Sequence, residues 1–253
     1  NARALIMALL LYENYEKKKY LSLVYRYASF LLNAQNAEGR FRNFMHYNRE
    51  WLEEEGSEDC FGRCLWALSF AFSNKHTPKG IKYGLSYLLE KALPHVTTLN
   101  YLRSKAYSII GLAHLEGEEI RKLIFEMAQS LCRQYDEYMD GEWKWFENIV
   151  SYCNFVLPWS LLKAYRVTGE KKFLDVAVES LEFLGRVTFK NEYFKPVGCK
   201  GWLVKGEHPA EFDEQAVEAC EGVLTFLEAY EATGETNYLQ KAEKCHEWYE
   251  GFN

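Results

Sequence analysis

Apolar residues recur at steps of three and four along nearly the whole chain, as in Leu65, Leu68 and Phe72 and in Leu85, Leu88 and Leu89. That period belongs to helices with one buried face, and no alternating strand pattern competes with it. An internal repeat sets the register. Residues 164–184 read AYRVTGEKKFLDVAVESLEFL and residues 229–249 read AYEATGETNYLQKAEKCHEWY. At an offset of 65 they share Ala164/Ala229, Tyr165/Tyr230, Thr168/Thr233, Gly169/Gly234, Glu170/Glu235, Leu174/Leu239, Ala177/Ala242 and Glu182/Glu247. A fainter copy over residues 11–31, LYENYEKKKYLSLVYRYASFL, keeps Tyr12, Tyr20-Leu21 and Phe30. Each copy reads as a helix, a tight turn and a second helix. Gly169 and Gly234 can adopt the left-handed conformation that ends the first helix. Glu170 and Glu235 suit the positive end of the next.

Two further hairpins fill the gaps, Ser57 to Ser73 with Lys79 to Lys91 around SNKHTP, and Leu99 to Leu115 with Glu118 to Tyr138 around EGE. Pro78, Pro94, Pro196 and Pro209 fall in connections or first turns, and Pro158 should start or kink its helix. The expectation is an all-α single domain over 1–253, with ten helices in five antiparallel hairpins. Turns within hairpins are short. Connections between them are long, over 35–56, 92–98, 139–149 and 188–211. Loops of this length in a compact domain usually carry function. In an up-down array the long loops share one end, so the predicted architecture is an α/α toroid of five to six hairpins with its pocket there. A ring one hairpin short would leave an apolar edge for a partner domain or a second copy.

The composition, 48% hydrophobic and 26% charged, excludes a disordered chain. A formal charge of −6 argues against nucleic acid or an anionic membrane as partner. No apolar run reaches membrane-span length. Without a leader-like segment the chain is expected to be cytoplasmic, and its start at Asn1 suggests a piece of something longer. Cys60, Cys64, Cys132, Cys153, Cys199, Cys220 and Cys245 form no CxxC pair and no zinc-type cluster, so reduced, mostly buried thiols, no metal and no cofactor are expected.

The long connections are rich in aromatics. Trp51, Trp143, Trp145 and Trp202 lie there beside Phe41, Phe44, Tyr47, Phe146, Tyr152, Tyr193 and Phe194. They can form a small core of their own or platforms for the apolar faces of sugars. Carboxylates are interleaved: Glu58 and Asp59 after Gly56-Ser57, Glu147 after Trp145-Phe146, and Asp213 and Glu218 after Phe212. Each has a structural alternative. Ser57 can cap a helix with Glu58 and Asp59 in its first turn, and Asp213 can cap the helix of 212–233. Arg40, Arg42, Arg49 and Arg63 can bind an acidic sugar or pair with Glu53, Glu54, Glu55 and Glu58. Several acids at a toroid mouth suit glycosidic chemistry, one carboxyl protonating the leaving oxygen while another activates water. No GxSxG, Walker or Gly-rich nucleotide sequence offers a different chemistry.

The segments NARALI (1–6), GRFRNFMHYNREWLEEEGSEDCFGRCLWAL (39–68), WKWFENIVSYCNFVLPWSLLKAY (143–165), PVGCKGW (196–202) and FDEQAVEA (212–219) resemble an α/α-toroid domain of bacterial and archaeal carbohydrate metabolism. That domain is known mainly from chains described as glycosyltransferases and is related to the six-hairpin glycosidases. The resemblance implies a carbohydrate-active domain of glycoside-hydrolase type acting on an oligosaccharide or glycoconjugate. A non-catalytic glycan-binding or scaffolding domain serving a glycosyltransferase is the alternative. Two positions depart from its pattern, Asn48 where Asp is usual and Phe61 where His is usual. Glu147 is the expected acid, Asp213 the base or stabiliser, and Asp59 the group that orients substrate. Trp51, Tyr47, Asn48, Arg49, Glu58, Trp145, Tyr152, Asn154, Trp202, Gln215 and Glu218 are the expected substrate contacts. Epimerase chemistry would need a histidine pair, for which only His46 and His208 lie on the loops.

Overall fold

A computed structural model of the chain describes residues 1–190 and 193–252. Asn191 and Glu192, which the fourth long connection includes, lie outside the described residues. Ten α-helices occur among the described residues: α1 (Ala2–Tyr15), α2 (Lys18–Ala34), α3 (Glu58–Ser73), α4 (Lys79–Ala92), α5 (Leu102–Leu112), α6 (Glu118–Tyr138), α7 (Val156–Thr168), α8 (Lys171–Thr188), α9 (Ala216–Thr233) and α10 (Asn237–Glu247). The chain divides into two compact units, residues 1–124 and residues from 125 onward, with the boundary inside α6.

In the first unit α1 packs on α2 and α3 on α4, while α3 also packs on both α1 and α5. The turn between α1 and α2 is closed by Glu16, which takes a left-handed φ of 50° and donates its N–H to Tyr12 O. A carboxylate-bearing residue thus does here what glycine does in the repeat. Ser57 caps α3 as the pattern predicts, its Oγ accepting from Cys60 N at 3.2 Å. α3 and α5 approach closely because each offers a glycine. A Cβ on Gly62 would stand 2.6 Å from Ser104 O, and one on Gly111 would stand 2.5 Å from Trp66 Cα. Nearly every residue of α5 is buried.

In the second unit α7 packs on α8 and α9, and α9 on α10. Gly169 and Gly234 end α7 and α9 with φ of 76° and 77°, and each donates to the tyrosine four residues back. Pro158 lies in the first turn of α7, where its missing N–H costs nothing. Two short antiparallel pairs tie the loops down: β1 (Ile149–Val150) with β4 (Leu203–Val204), and β2 (Phe189–Lys190) with β3 (Tyr193–Phe194). The pairing of β1 with β4 fastens the connection that carries Glu147 to the one that carries Trp202. All seven cysteines are thiols, five of them buried. No described helix is long and apolar enough to cross a membrane.

Candidate functional site

In the first unit the polar groups gather at the N-terminal ends of α3 and α5. Glu58 reaches from α3 to the start of α5, where its carboxylate accepts Asn100 N at 2.7 Å, Tyr101 N at 3.0 Å and Ser104 Oγ at 3.0 Å. It is a cap for the neighbouring helix. Burial pushes its carboxyl up, but the hydrogen bonds from Tyr101, Asn100 and Ser104 outweigh that and hold it below the usual range. Asp59 lies 3.8 Å from Arg63 one turn along α3. The Arg63 guanidinium covers the Tyr107 ring at 5.4 Å, and Tyr107 stacks on Trp66. Arg103, on the first turn of α5, is buried in the same unit. Tyr107 and Trp66 are buried, so this cluster packs α3 against α5 and leaves only parts of Asp59 and Arg63 at the surface.

The first long connection folds as a hairpin over 43–53, with Met45 bridged to Trp51. Tyr47, Asn48 and Arg49 stand exposed at its tip, Arg49 with φ 70°. Asn48 is engaged within the turn, its Nδ2 donating to Glu50 Oε2 at 2.8 Å. Trp51 is half-buried, edge-on to Phe30 with Arg42 over its ring, so it anchors the hairpin to α2. Arg40 pairs with Glu55 and Arg42 with Glu54, as the acid-rich sequence allows. Glu53 instead accepts the Asn43 and Phe44 amides. Phe61 packs against Phe41 and His95 beneath the Arg40 guanidinium, a structural use of the position where the resembled pattern has His.

In the second unit the connection 139–155 folds inward. Trp145 is fully buried, stacked on Phe183 with Nε1 donating to Ile149 O, and Trp143 meets the same Phe183 edge-on. Of the two uses open to these aromatics, Trp145 therefore has the core use rather than a sugar-facing one. Glu147 is half-exposed, and its carbonyl accepts Trp143 Nε1 at 2.8 Å. Tyr152 is exposed. Trp202 is half-buried with φ 60°, held by Gly198 O and Ala210 N. Asp213 does not cap α9. The helix starts later, with Gln215 at the cap position, and Asp213 sits exposed with φ 64° while its carbonyl accepts Cys199 N. Gly198 makes this turn possible, because a Cβ there would stand 2.0 Å from Phe212 O.

Behind these loops lies a buried polar face of which the sequence singles out only Glu218. α9 buries a polar stripe, Glu218, Glu221, Thr225 and Glu228, at steps of three and four. Glu218, Thr225 and Glu228 engage α7 or the residues that lead into it. Glu218 accepts from Asn154 N and Nδ2. Thr225 Oγ1 donates to Phe155 O at 3.1 Å, and Glu228 pairs with Lys163 and Arg166, each at 2.6 Å. The donor atoms of Cys153, Glu218 and Glu221 all lie within 4.8 Å of one another, the one described group close enough to share a metal ion. Glu218, however, spends both oxygens on Asn154, so the cluster fits a hydrogen-bonded network. The spacing 218, 221, 225, 228 was the available signal, since a helix face of acids in so apolar a chain needs partners.

No protein-family model matches this sequence, and no curated protein matches it. Solved structures do match. A sugar epimerase from a ruminal bacterium is similar over 98% of this chain and 74% of its own, at TM-score 0.75 and 14% identity. The cellobiose 2-epimerase of Bacillus thermoamylovorans B4167 matches over 99% of this chain and 74% of its own, at TM-score 0.77 and 12% identity. A glycoside hydrolase matches over 94% of this chain and 44% of its own, at TM-score 0.60 and 14% identity. At such identities the likeness speaks for fold. The chain is all-α and has the α/α-toroid fold.

Proposed function

We propose that this chain is a carbohydrate-active domain whose reacting groups are carboxyls, of glycoside-hydrolase type. The observation that carries this reading is the set of acids on the long connections and the first turns of α9 in the second unit, Glu147, Asp213, Glu218 and Glu221, on a fold it shares with sugar enzymes. Glu218 is committed to α7. Glu147, half-exposed beside a Trp-Phe core, is the acid: its proton goes to the glycosidic oxygen as the bond to the anomeric carbon breaks. Water adds to that carbon and loses its proton to a second carboxylate, for which Asp213 and Glu221 are the candidates. Trp202 and Tyr152 supply ring faces.

A second reading, isomerisation or epimerisation of a sugar, is favoured by the epimerase names of two of the structures above. Against it stands the exposure of both His46 and His208. One experiment separates the readings. The protein is screened on a glycan array, and each bound glycan is incubated with it and followed by reducing-end assay and proton NMR in D2O. New reducing ends mean hydrolysis. Deuterium incorporation next to the carbonyl without new ends means epimerisation. Binding with neither means a sugar-binding module.

A further inference from the structure

The formal charge of −6 is unevenly shared along the chain. α2 with its cap carries Lys17, Lys18, Lys19 and Arg26 and no acid, and α4 carries Lys79, Lys82 and Lys91 against Glu90 alone. Elsewhere in the first unit Arg40, Arg42 and Arg63 stand against Glu55, Glu54 and Asp59. Among the described residues no acid pairs with a cation of α2 or α4. At the adjoining turns Glu13 is taken by His76 and Asn74, and Glu16 is exposed. The two helices lie side by side, with Gln35 Nε2 donating to Leu88 O at 2.9 Å and Lys91 Nζ to Ala37 O at 3.4 Å. Their charges therefore belong to one surface.

That surface also has an apolar centre. Between the helices runs a groove of about 220 Å³, walled by Tyr25, Ser29 and Leu32 of α2 and Gly80, Gly84 and Leu88 of α4. Leu32, Tyr25, Tyr87 and Tyr83 keep 51%, 49%, 50% and 82% of their surface in solvent. Neither glycine serves close packing, since a Cβ on either would meet nothing within 4 Å. Glycine inside a helix is unfavourable, and its effect here is to leave the groove unfilled.

At physiological salt, charges more than about 8–10 Å away are screened, so a partner meets the local cations and not the charge of the whole chain. Cations around exposed tyrosine and leucine suit the headgroup layer of an anionic bilayer. Nucleic acids and acidic polysaccharides also attract cations, but their bases and sugar rings stack on open aromatic faces. Here Lys17, Lys19 and Lys91 lie over the rings of Tyr15, Tyr20 and Tyr87 at 5.7, 4.8 and 5.0 Å.

We propose that the α2–α4 face docks on anionic phospholipid bilayers. Lys18, Arg26 and Lys79 bind headgroup phosphates, while Leu32, Tyr25 and Tyr83 enter the boundary between headgroups and acyl chains. The chain attaches by this face without crossing the membrane.

Flotation with vesicles tests this, using phosphatidylcholine alone and phosphatidylcholine with phosphatidylglycerol in equal parts. Binding to the anionic vesicles is expected to be roughly ten-fold or more stronger and to fall with added salt. Lys18→Glu/Arg26→Glu/Lys79→Glu should abolish it. Lys122→Glu/Lys171→Glu/Lys200→Glu, the same change in net charge at exposed positions elsewhere, should keep it. Leu32→Ser/Tyr83→Ser should weaken it several-fold, with every variant still helical by circular dichroism. Equal binding to the two vesicle types, or none to the anionic ones, overturns the proposal. So does equal loss in both charge-reversed variants, or tighter binding to a single-stranded oligonucleotide or to polygalacturonate in the same buffer.

Discussion

Glu218 on α9 holds the start of α7 through Asn154, with both carboxylate oxygens 3.3 Å from the Asn154 amide nitrogen and Oε2 3.1 Å from its Nδ2. Within the first unit Glu58 on α3 holds the start of α5 through Asn100 in the same way. In each case an acid from one helix satisfies the open N–H groups of a neighbour, which local capping residues usually satisfy.

The Glu218 contact should be costly to lose. Hydrogen bonds to a buried charge contribute more than neutral ones, so Glu218→Ala is expected to destabilise the protein by about 3 kcal/mol. Glu218→Gln, which keeps an acceptor, should cost about 1 kcal/mol. Urea unfolding of Glu218→Ala, Asn154→Ala and the double variant gives the coupling energy. Simple additivity would deny the contact any energetic weight.

Glu58 predicts an acid limb. A carboxyl held below its usual value stabilises the folded state at neutral pH, and that contribution is lost as pH falls through the lowered folded value. Stability should therefore decline below about pH 4 to 5. Glu58→Gln should be less stable near neutrality and show a shallower decline, measured as Tm against pH.

Tyr135 and Glu179 form a second such pair in the second unit. Tyr135 Oη donates to Glu179 Oε2 at 2.6 Å, and Lys144 approaches the other oxygen at 3.2 Å. The hydrogen bond from Tyr135 pulls the Glu179 carboxyl down, burial opposes it, and Lys144 adds to the lowering. Burial and Glu179 together push the Tyr135 phenol up. Tyr135→Phe should cost about 1 to 2 kcal/mol at pH 7. The deficit should shrink in acid as Glu179 protonates, again read from Tm against pH.

The tryptophans divide by burial. Trp145→Ala empties a core site and should cost about 3 to 5 kcal/mol. Trp202→Ala should leave the melting curve nearly unchanged and weaken sugar binding by about 1 to 3 kcal/mol, measured by calorimetry on a glycan identified by the array. Unaltered affinity would return Trp202 to a packing role.

Much of this was legible because it is settled within a few residues. The Ser57 cap, the left-handed Gly169 and Gly234 and the place of Pro158 each depend on backbone groups no more than four residues away. The 212–233 reading starts α9 four residues early for the same local reason. Phe212-Asp213 looks like a cap, but the backbone there turns through a left-handed residue fastened to Cys199.

The chain by itself determined its helices, the pairing of α1 with α2, α3 with α4, α7 with α8 and α9 with α10, and the long connections, since hydrophobic period and turn chemistry are properties of neighbouring residues. Only the tertiary structure decided what each acid and aromatic does. Glu58 is engaged by residues some forty positions away, Glu218 by one 64 away, and Trp145 by Phe183. Burial and hydrogen bonding depend on which helix comes alongside, and sequence spacing carries no record of that. The same is true of α9, whose acids face inward and whose leucines face outward. Its composition is ordinary, and only the position of α7 shows which of its faces is turned inward.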